Sequence, residues 1–333
     1  MKKISFIIPV YNAEKYIERC LKNLIKYEGE DVEFIIINDG SNDSTHTTLK
    51  KYEKDDKRII YINKNNTGVS NTRNVGLQKA AGEYIVFIDI DDYLEENSVE
   101  GLINILKNNN ADLYIMPYYK EEKGKTEIVD YSFLKNKTYD TREKICKIIP
   151  NFIGNVDEEG NRIPNIMGSV WSKVFKTDII KKHHIAMNEE IEITEDLNFL
   201  IEYIVHCNKI KIIDYYFYHY VIENNKSITK KYKANLYDEL QLGLNNTVKI
   251  LEGKGIFFNN VIEYKRFYNI YASLVNECKN DTSIKNKRKN ISKFIKNLKS
   301  NEMTVKGLSR KEKIIKFFLE RKWILPLILY YSK

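Results

Sequence analysis

Short apolar runs alternate with helical segments along the first half of the chain, and this alternation limits the possible folds more than any other feature. The runs "ISFIIPV", "EFIIIND", "RIIYINK", "EYIVFIDI" and "ADLYIMPYY" have the length and the apolar or β-branched content of strands. Between the first two, "AEKYIERCLKNLIKY" places Cys20, Leu21 and Leu24 on one face of a predicted helix, with Asn12 as its expected N-cap. Strands and helices in this order predict an α/β fold built on a doubly wound sheet.

Polar clusters follow three of these strands: "PVYN", "NDGSND" and "DIDD". In doubly wound sheets, ligands bind at the carboxyl ends of the strands, so we expect the clusters to share one rim. Asp89, Asp91 and Asp92 repel one another there, and a divalent cation would relieve the repulsion, since Mg²⁺ and Mn²⁺ prefer carboxylate oxygens. Strand alternation predicts that Asp89 and Asp91 point the same way and that Asp92 begins a turn. The alternative is that these acids cap the next helix or lie in a solvated loop.

Composition sets the class of protein. The 333 residues are 43% hydrophobic, which allows a substantial core in one large domain with an appendage, or in two domains. No run of about 18 apolar residues occurs, so we expect neither a spanning helix nor, from "ISFIIPV", a signal peptide. The cysteines are far apart without a CxxC pair, which favours a reduced cytoplasmic chain without a zinc site.

Four segments resemble, in order and spacing, the motifs of family 2 glycosyltransferases, the GT-A fold enzymes of bacterial capsule, lipopolysaccharide and teichoic acid assembly. They are "SFIIPVYN", "FIIINDGSNDST", "NNTGVSNTRNVGLQKAAGEYIVFIDIDD" and "ITEDLNFLIEY". The resemblance covers about the first 110 residues and resumes from Trp171 to Thr229. Two positions depart from it: Ile90, where a small polar residue is commoner, and Asn38, where an Asp is usual.

The resemblance implies a GT-A-like mixed sheet flanked by helices. It implies a glycosyltransferase domain over residues 1–231, with a nucleotide-binding half at 1–115 and an acceptor and base half at 116–231. A helical C-terminal region at 232–333 would follow. The implied activity is an inverting, metal-dependent transfer of a sugar from a nucleotide sugar, chiefly a UDP-sugar, to a saccharide or lipid-linked acceptor.

The resemblance also implies the donor site. Asp91 and Asp89 would hold Mn²⁺ or Mg²⁺ with His219 as a third ligand, and the cation would stabilise the departing diphosphate. Asp39 would accept from a uracil imide N–H, and the Arg73 guanidinium would reach the diphosphate or the base. The expected nucleotide-sugar contacts are Pro9, Tyr11, Asp39, Arg73, Asp89 and Asp92. Each of three residues has an alternative role. Asp39 would only form a turn, Arg73 would lie on the surface, and His219 would pack among aromatic residues.

A pair of acids in "ITEDLNFLIEY" precedes an apolar helical pattern. An acceptor hydroxyl that attacks an anomeric carbon must lose a proton, and a carboxylate opposite the leaving group can accept it. By resemblance Asp196 is this base, with Glu195 as the second choice. The alternative is an ordinary acidic first helical turn. Upstream, Trp171 in "GSVWSKVFKTDII" would face an acceptor sugar or belong to the core.

The last third of the sequence is basic and helical. "SIKNKRKNISKFIKNLKS" places Ile291, Phe294, Ile295 and Leu298 on one face among lysines, and the chain ends in "KWILPLILYYSK". Contact with an anionic membrane surface, a solvated basic face and a subunit contact in a homo-oligomer all agree with this pattern. Nucleic acid is not expected as a partner, because the aromatic residues do not interleave with the basic ones.

Two other functions compete with a glycosyltransferase. A sugar-phosphate nucleotidyltransferase would open with a glycine-rich phosphate loop, and "PVYNAEKY" contains no glycine. A non-catalytic scaffold of a polysaccharide complex would not need the acids that the chemistry uses. Asp89, Asp91 and Asp196 are all present, which favours an enzyme.

Overall fold

The computed structural model describes residues 3–134, 137–223, 232–295 and 305–332. The chain divides into two compact units. The sheet unit comprises Met1–Ile145, Ser169–Glu190 and Glu195–Asn224, and the helical unit comprises Cys146–Gly168, Ile191–Thr194 and Asn225–Lys333. Residues 146–168, expected in the acceptor half of the first domain, therefore group with the helical unit, where Val156 is part of the core. The predicted boundary at 231 and the Ser227–Thr229 part of the family motif lie outside the described residues.

An eight-stranded mixed sheet forms the centre of the sheet unit, which confirms the predicted α/β fold class. In spatial order the strands are β3 (Ile59–Lys64), β2 (Val32–Asp39), β1 (Ile4–Val10), β4 (Tyr84–Phe87), β10 (Lys173–Lys176), β6 (Leu113–Ile115), β11 (Ile210–Ile212) and β9 (Thr138–Tyr139). Pairing is parallel along β3, β2, β1 and β4 and between β6 and β11, whereas β10 and β9 are antiparallel to their neighbours.

A second, four-stranded sheet adjoins the acidic turn. Its order is β5 (Tyr93–Leu94), β12 (Tyr218–Ile222), β7 (Tyr118–Glu122) and β8 (Lys125–Val129). The helices that accompany the two sheets are α1 (Ile17–Ile25), α2 (Thr45–Asp55), α3 (Val69–Lys79), α4 (Ser98–Asn108), α5 (Arg142–Ile148), α7 (Thr177–His183) and α8 (Glu195–Ile204), with a short 3₁₀ turn at Ser132–Leu134.

The strand predictions hold at the centre of the sheet because these strands are covered on both faces. Every residue of β1 and β2 is buried, as a continuous apolar run predicts. Cys20, Leu21 and Leu24 of α1 are buried as expected. The N-cap of α1 is Tyr16, so the assignment of Asn12 was wrong. Asn12 has a left-handed backbone, with φ +47°, and its side chain accepts the Asn42 N–H at 2.8 Å, which joins two loops of the rim.

The acidic segment is a turn rather than the end of a strand. β4 ends at Phe87, and the Asp92 N–H donates to the Asp89 carbonyl at 3.0 Å. Strand alternation therefore does not apply to Asp89 and Asp91, and that they point the same way stays a prediction. The predicted fifth strand is likewise two strands, β6 and β7, which belong to different sheets.

The helical unit agrees with the predicted helical C-terminal region. Its helices are α6 (Pro150–Ile153), α9 (Leu236–Glu252), α10 (Asn259–Cys278), α11 (Ile284–Ile295), α12 (Arg310–Glu320) and α13 (Ile324–Tyr331). Ile291 and Ile295, which were predicted to share one face of α11, are both buried in the core of the helical unit, and Leu298 lies outside the described residues. Within the described ranges, the helices are too short or too polar to cross a membrane.

Gly76 lets α3 approach the central strand β1 closely. A Cβ at this position would lie 2.4 Å from Ile7 Cγ2, so Gly76→Ala forces either the helix or Ile7 to move. We expect this overpacking to lower the free energy of unfolding by about 1–3 kcal/mol. The expectation opposes helix propensity, which favours Ala over Gly by about 1 kcal/mol. Urea unfolding measures the change, with the exposed Lys79→Ala in the same helix as a control. A more stable Gly76→Ala protein would show that the contact is loose.

Candidate active site

The first two strand ends present Tyr11 and Asp39. Pro9 is buried within β1, whereas Tyr11, just beyond the strand, is 49% exposed. Asp39 ends β2 and is buried, where its Oδ1 accepts the Thr67 N–H and its Oδ2 accepts the Gly68 N–H, both at 2.9 Å. Lys64 forms an ion pair with the same carboxylate. Gly68 has φ +90°, a conformation that glycine adopts without strain, and this lets the loop before α3 turn its N–H groups toward Asp39.

Asn38 makes the turn that follows β2. Its Nδ2 donates to Asn63 Oδ1 at 2.8 Å, and its Oδ1 accepts the Ser41 N–H at 3.2 Å. Gly40 adopts φ +71° in the same turn. Asn38 stands where the family usually has Asp. Its amide can both donate and accept a hydrogen bond, and this turn uses both.

Asp91 and Asp92 have different surroundings in the acidic turn. Asp91 is exposed, and the Arg19 guanidinium holds its carbonyl. Asp92 is buried and accepts the Tyr218 hydroxyl at 2.7 Å and the Val221 N–H at 2.8 Å. Desolvation by the surrounding protein, and then the charge of Asp89, raises the pKa of both carboxyls. The turn therefore concentrates negative charge that the protein does not fully compensate.

Arg73 projects from α3 into a cluster of three carboxylates. It is 4% exposed, and its guanidinium lies 2.8 Å from Asp89 Oδ1, 2.6 Å from Asp196 Oδ1 and 3.6 Å from Glu195 Oε1. Burial alone would lower the pKa of Arg73, but the charges of Asp196 and Asp89 outweigh it and raise the pKa. Two predicted donor-site residues and both candidate bases thus meet in one ion-pair cluster.

The first turn of α8 positions Glu195 and Asp196. Asp196 Oδ2 accepts the Val170 N–H at 3.3 Å, so both of its oxygens are held, yet the side chain remains 20% exposed. Burial raises the pKa of Asp196, and the charge of Arg73 offsets part of the rise. Burial and the neighbouring Asp196 raise the pKa of Glu195 to about 7. Glu195 is therefore poised near the range that general base catalysis at neutral pH requires, and the pKa of Asp196 is shifted in the same direction.

Lys173 is a residue whose importance the sequence analysis missed. It begins β10, is 1% exposed, and its pKa is lowered to about 7 by burial, which the charge of Asp196 partly opposes. The segment that carries Lys173 also supplies the Val170 N–H to Asp196. The sequence signal was present, since Lys173 is the lysine of the "WSK" motif, but nothing in the motif indicated that this cation is buried. Tyr218, which contacts Asp92 and the Asp89 N–H, was missed in the same way.

His219 lies between two carboxylates and two aromatic rings. Its Nδ1 is 2.8 Å from Glu121 Oε1 and its Nε2 is 3.0 Å from Glu95 Oε2. The imidazole stacks on Tyr93 and Tyr119, with centroid distances of 4.3 and 4.5 Å. Both ring nitrogens are thus occupied by partners within the protein, and the metal-ligand role of His219 stays a prediction.

Trp171 is buried in an aromatic cluster. It is 4% exposed and stacks on Tyr218 and Tyr220, each with a centroid distance of 4.9 Å. Tyr118 packs edge-on against the same ring. The position agrees with the core alternative from the sequence, and contact with an acceptor stays a prediction.

Comparison with known proteins identifies the family. The profile described as "Glycosyl transferase family 2" matches residues 5–157, which include the strand ends and the acidic turn. The poly(ribitol-phosphate) beta-N-acetylglucosaminyltransferase TarP of Staphylococcus aureus is 31% identical over 254 residues, which cover 71% of this chain and 70% of TarP. The chain belongs to glycosyltransferase family 2.

Other family 2 relatives are longer than this chain. Glycosyltransferase GlyA of Streptococcus pneumoniae is 30% identical over 62% of this chain, and the match spans only 30% of GlyA. The fold of this family 2 chain is also similar to that of S. aureus TarS 1–349 crystallised with UDP-GlcNAc. The TM-score is 0.69 at 19% identity, and the match covers 99% of this chain and 90% of the TarS 1–349 chain.

The acidic turn of this family 2 chain suits a divalent cation in its chemistry. Asp91 and Asp89 supply hard carboxylate oxygens. Desolvation and then the charge of Asp89 raise the pKa of Asp91, and a bound cation would counter both effects. Asp92 is turned inward to Tyr218 and Val221. Among the described residues, His, Cys, Asp and Glu side chains do not assemble in a group of three or more that could hold a metal ion. A cation would therefore need oxygens from a ligand to complete its coordination.

The raised pKa of Glu195 predicts a pH-dependent stability. Its pKa rises from 4.5 to about 7, so between these values the folded protein retains a proton that the unfolded chain releases. Stability from this group is therefore lost as the pH rises through that window. Relative to the native protein, Glu195→Gln should gain about 1–3 kcal/mol in unfolding free energy between about pH 4 and pH 8.

Urea titrations at several pH values measure this difference. The exposed Glu96→Gln is the control, because Lys26 lowers the pKa of Glu96 and its contribution has the opposite pH dependence. A difference for Glu195→Gln that does not change with pH would show that Glu195 ionises in the folded protein as it does in water.

Proposed function

We propose that this family 2 chain is an inverting, divalent-metal-dependent glycosyltransferase of cell-surface polysaccharide assembly. It moves a sugar from a UDP-sugar to a hydroxyl of a saccharide or lipid-linked acceptor. The observation that carries the proposal is the Arg73 cluster, in which one guanidinium contacts Asp89 of the acidic turn and Asp196 of α8. Binding of the donor and activation of the acceptor would then occur at adjacent side chains.

The nucleoside would lie on the first two strand ends. Tyr11 is exposed beside Pro9. The Asp39 carboxylate accepts from Thr67, Gly68 and Lys64, which leaves one lone pair on Oδ2 to accept an imide N–H. Two relatives support the donor class: TarS was crystallised with UDP-GlcNAc, and TarP is named an N-acetylglucosaminyltransferase. A UDP-N-acetylhexosamine is accordingly the donor that we propose.

The diphosphate would lie between the acidic turn and Arg73. Asp91 and Asp89 would hold Mn²⁺ or Mg²⁺, which, when bound, neutralises the charge that develops on the leaving UDP. The Arg73 Nε is buried and has no hydrogen-bond partner among the described residues. Buried donors are normally paired, so a phosphate oxygen is a fitting partner for this N–H.

Asp196 would act as the general base of a single displacement. The acceptor oxygen forms a bond to the anomeric carbon as its proton passes to Asp196. The bond from that carbon to the diphosphate oxygen breaks, and its electron pair leaves with UDP. Hydrogen bonds from Arg73 and Val170 fix the direction of the carboxylate and leave lone pairs for the proton. Glu195, one residue earlier, is the second candidate.

We also propose that the enzyme works in the cytoplasm, peripherally on the inner face of the cell membrane. Nucleotide-sugar chemistry and a lipid-linked acceptor meet at that boundary. None of the four cysteines forms a disulfide, and Cys20, Cys207 and Cys278 are buried, which agrees with a reducing compartment.

The role of Asp91 in metal binding can be tested without an activity assay. Asp91→Asn keeps the size of the side chain but removes its charge, so we expect UDP affinity in Mn²⁺ to fall at least about tenfold with the fold intact. Isothermal titration with Mn²⁺ and with EDTA gives both affinities. The exposed Glu96→Gln, elsewhere in the sheet unit, serves as the control and should bind as the native protein does. Equal UDP affinity of the native protein in Mn²⁺ and in EDTA would exclude the metal role.

Replacing the two α8 acids separates chemistry from binding. Asp196→Asn removes the basicity of the proposed base, so transfer at saturating acceptor should fall roughly 10²-fold or more. Donor affinity should stay near normal, because the strand ends and the acidic turn hold the donor. Glu195→Gln should cost less. If Asp196→Asn stays active and Glu195→Gln is dead, the base is Glu195. If the native protein transfers no sugar from any UDP-sugar tested, the chain is a scaffold.

A further inference from the structure

Helix α13 is apolar around its whole circumference, although only part of it is covered. Its sequence, "ILPLILYY", contains no charged residue. Ile324 and Ile328 are buried in the core of the helical unit, but Leu325, Leu329 and Tyr330 are 43%, 51% and 63% exposed. A helix that is hydrophobic on every side normally has every side buried. One side of α13 is therefore exposed, although its apolar composition is typical of a buried surface.

The uncovered side of α13 continues onto α12. Phe317 contacts Trp323 with their ring centroids 5.9 Å apart, and the Lys311 ammonium lies 5.9 Å from the Tyr330 ring centroid. These contacts, near opposite ends of α12, place the two helices side by side. The exposed apolar residues that they carry form what we call the aromatic face: Ile314, Phe317, Trp323, Leu325, Leu329 and Tyr330. Single exposed apolar residues are ordinary, but a continuous group marks an interaction surface.

Positive charge surrounds the aromatic face. The exposed cations of the two helices and their connection are Arg310, Lys311, Lys313, Arg321 and Lys322. The two acids in this segment are already engaged, since Glu312 pairs with Arg162 and Glu320 pairs with Lys316. The surroundings of the face are therefore strongly cationic.

A second basic helix lies beside the end of α13. Helix α11 contains five Lys or Arg residues and no acid. Its Lys287 donates to the Ser332 Oγ at 3.2 Å, directly after the last turn of α13. Lys287 itself is buried, but the other four cations of α11 are exposed on a helix that contacts the residue after α13.

We infer that the aromatic face docks on an anionic lipid bilayer. Exposed Trp, Tyr and Leu side chains suit the boundary between headgroups and acyl chains, where aromatic residues are enriched. The surrounding lysines and arginines would meet the negative headgroups. A second copy of the chain fits less well, because a two-fold contact would bring the same cationic surroundings of both copies together. The inference names the surface by which the protein would bind the membrane. It rests on the proposed function only for the location at the membrane, because it involves none of the proposed catalytic residues.

Vesicle sedimentation of the 333-residue chain in EDTA tests the inference. We expect the chain to pellet with vesicles of phosphatidylcholine and phosphatidylglycerol, to stay in solution with phosphatidylcholine alone, and to be released by high salt. Two double variants should each lower the vesicle partition coefficient at least about tenfold. One removes apolar contact (Leu325→Ser with Leu329→Ser), and the other reverses charge (Arg321→Glu with Lys322→Glu). Matched controls are Ile128→Ser on β8, where the Ile is 61% exposed, and Lys54→Glu on α2, and neither should change binding.

Tryptophan fluorescence gives an independent readout. The chain has two tryptophans, and Trp171 is 4% exposed whereas Trp323 is 55% exposed, so a blue shift with anionic vesicles reports on Trp323. Trp323→Phe should abolish the shift, and brominated lipid in the vesicles should quench the native signal. The assay needs neither donor nor metal. Membrane binding can therefore be observed even if the protein transfers no sugar, and sugar transfer can be observed even if the protein binds no membrane.

Two results would overturn the inference. One is native protein that stays in the supernatant with both kinds of vesicle. The other is a dimer of the native protein in sedimentation velocity, together with no binding to vesicles. If the double variant Leu325→Ser, Leu329→Ser is then a monomer, the aromatic face is a contact between copies.

Discussion

The buried guanidinium of Arg73 is the interaction on which the proposed site depends. A cation removed from water is costly unless charged partners replace its hydration, and Arg73 finds them in Asp89, Asp196 and Glu195. The dependence is mutual, because three carboxylates at this spacing would repel one another without the cation. The sheet unit must therefore bring α3, the turn after β4 and the start of α8 to one place. Its mixed sheet does so by setting β10 between β4 and β6.

Around Arg73, charges are compensated to different degrees. Asp92 is satisfied inside the protein by Tyr218 and Val221, whereas Asp91 is exposed and its pKa is raised. Near Asp196, the buried Lys173 adds a second cation whose pKa is lowered toward neutrality. Under the proposed function, a bound cation would compensate Asp91, whereas Asp196 already has Arg73 and the Val170 N–H as partners. The uncompensated negative charge would then lie on the proposed donor side of the cluster.

Sequence patterns predicted well those parts of the molecule in which one local rule dominates. Continuous apolar runs predicted β1 and β2 correctly, because both strands are covered on both faces. The edge strand β3 was also predicted, although only Ile59 in it is buried. Patterns failed where loops interact with one another. Asn12 has the composition of an N-cap, but its side chain bonds instead to the Asn42 N–H of a neighbouring loop. The sequence pattern places Asp89 and Asp91 at the end of a strand, but the strand ends at Phe87 and a turn carries both acids.

The sequence by itself determined the α/β class, the order of the motifs and the identity of the acids, because each of these is written in short segments of the chain. The tertiary structure alone decided which acids share a cation, since Arg73 is 16 residues from Asp89 and 123 residues from Asp196. It also decided that Lys173 is buried, that His219 lies between Glu95 and Glu121, and that one side of α13 is left uncovered. The physical reason is the same in each case: burial and charge pairing depend on distances through space, and a one-dimensional pattern does not contain them.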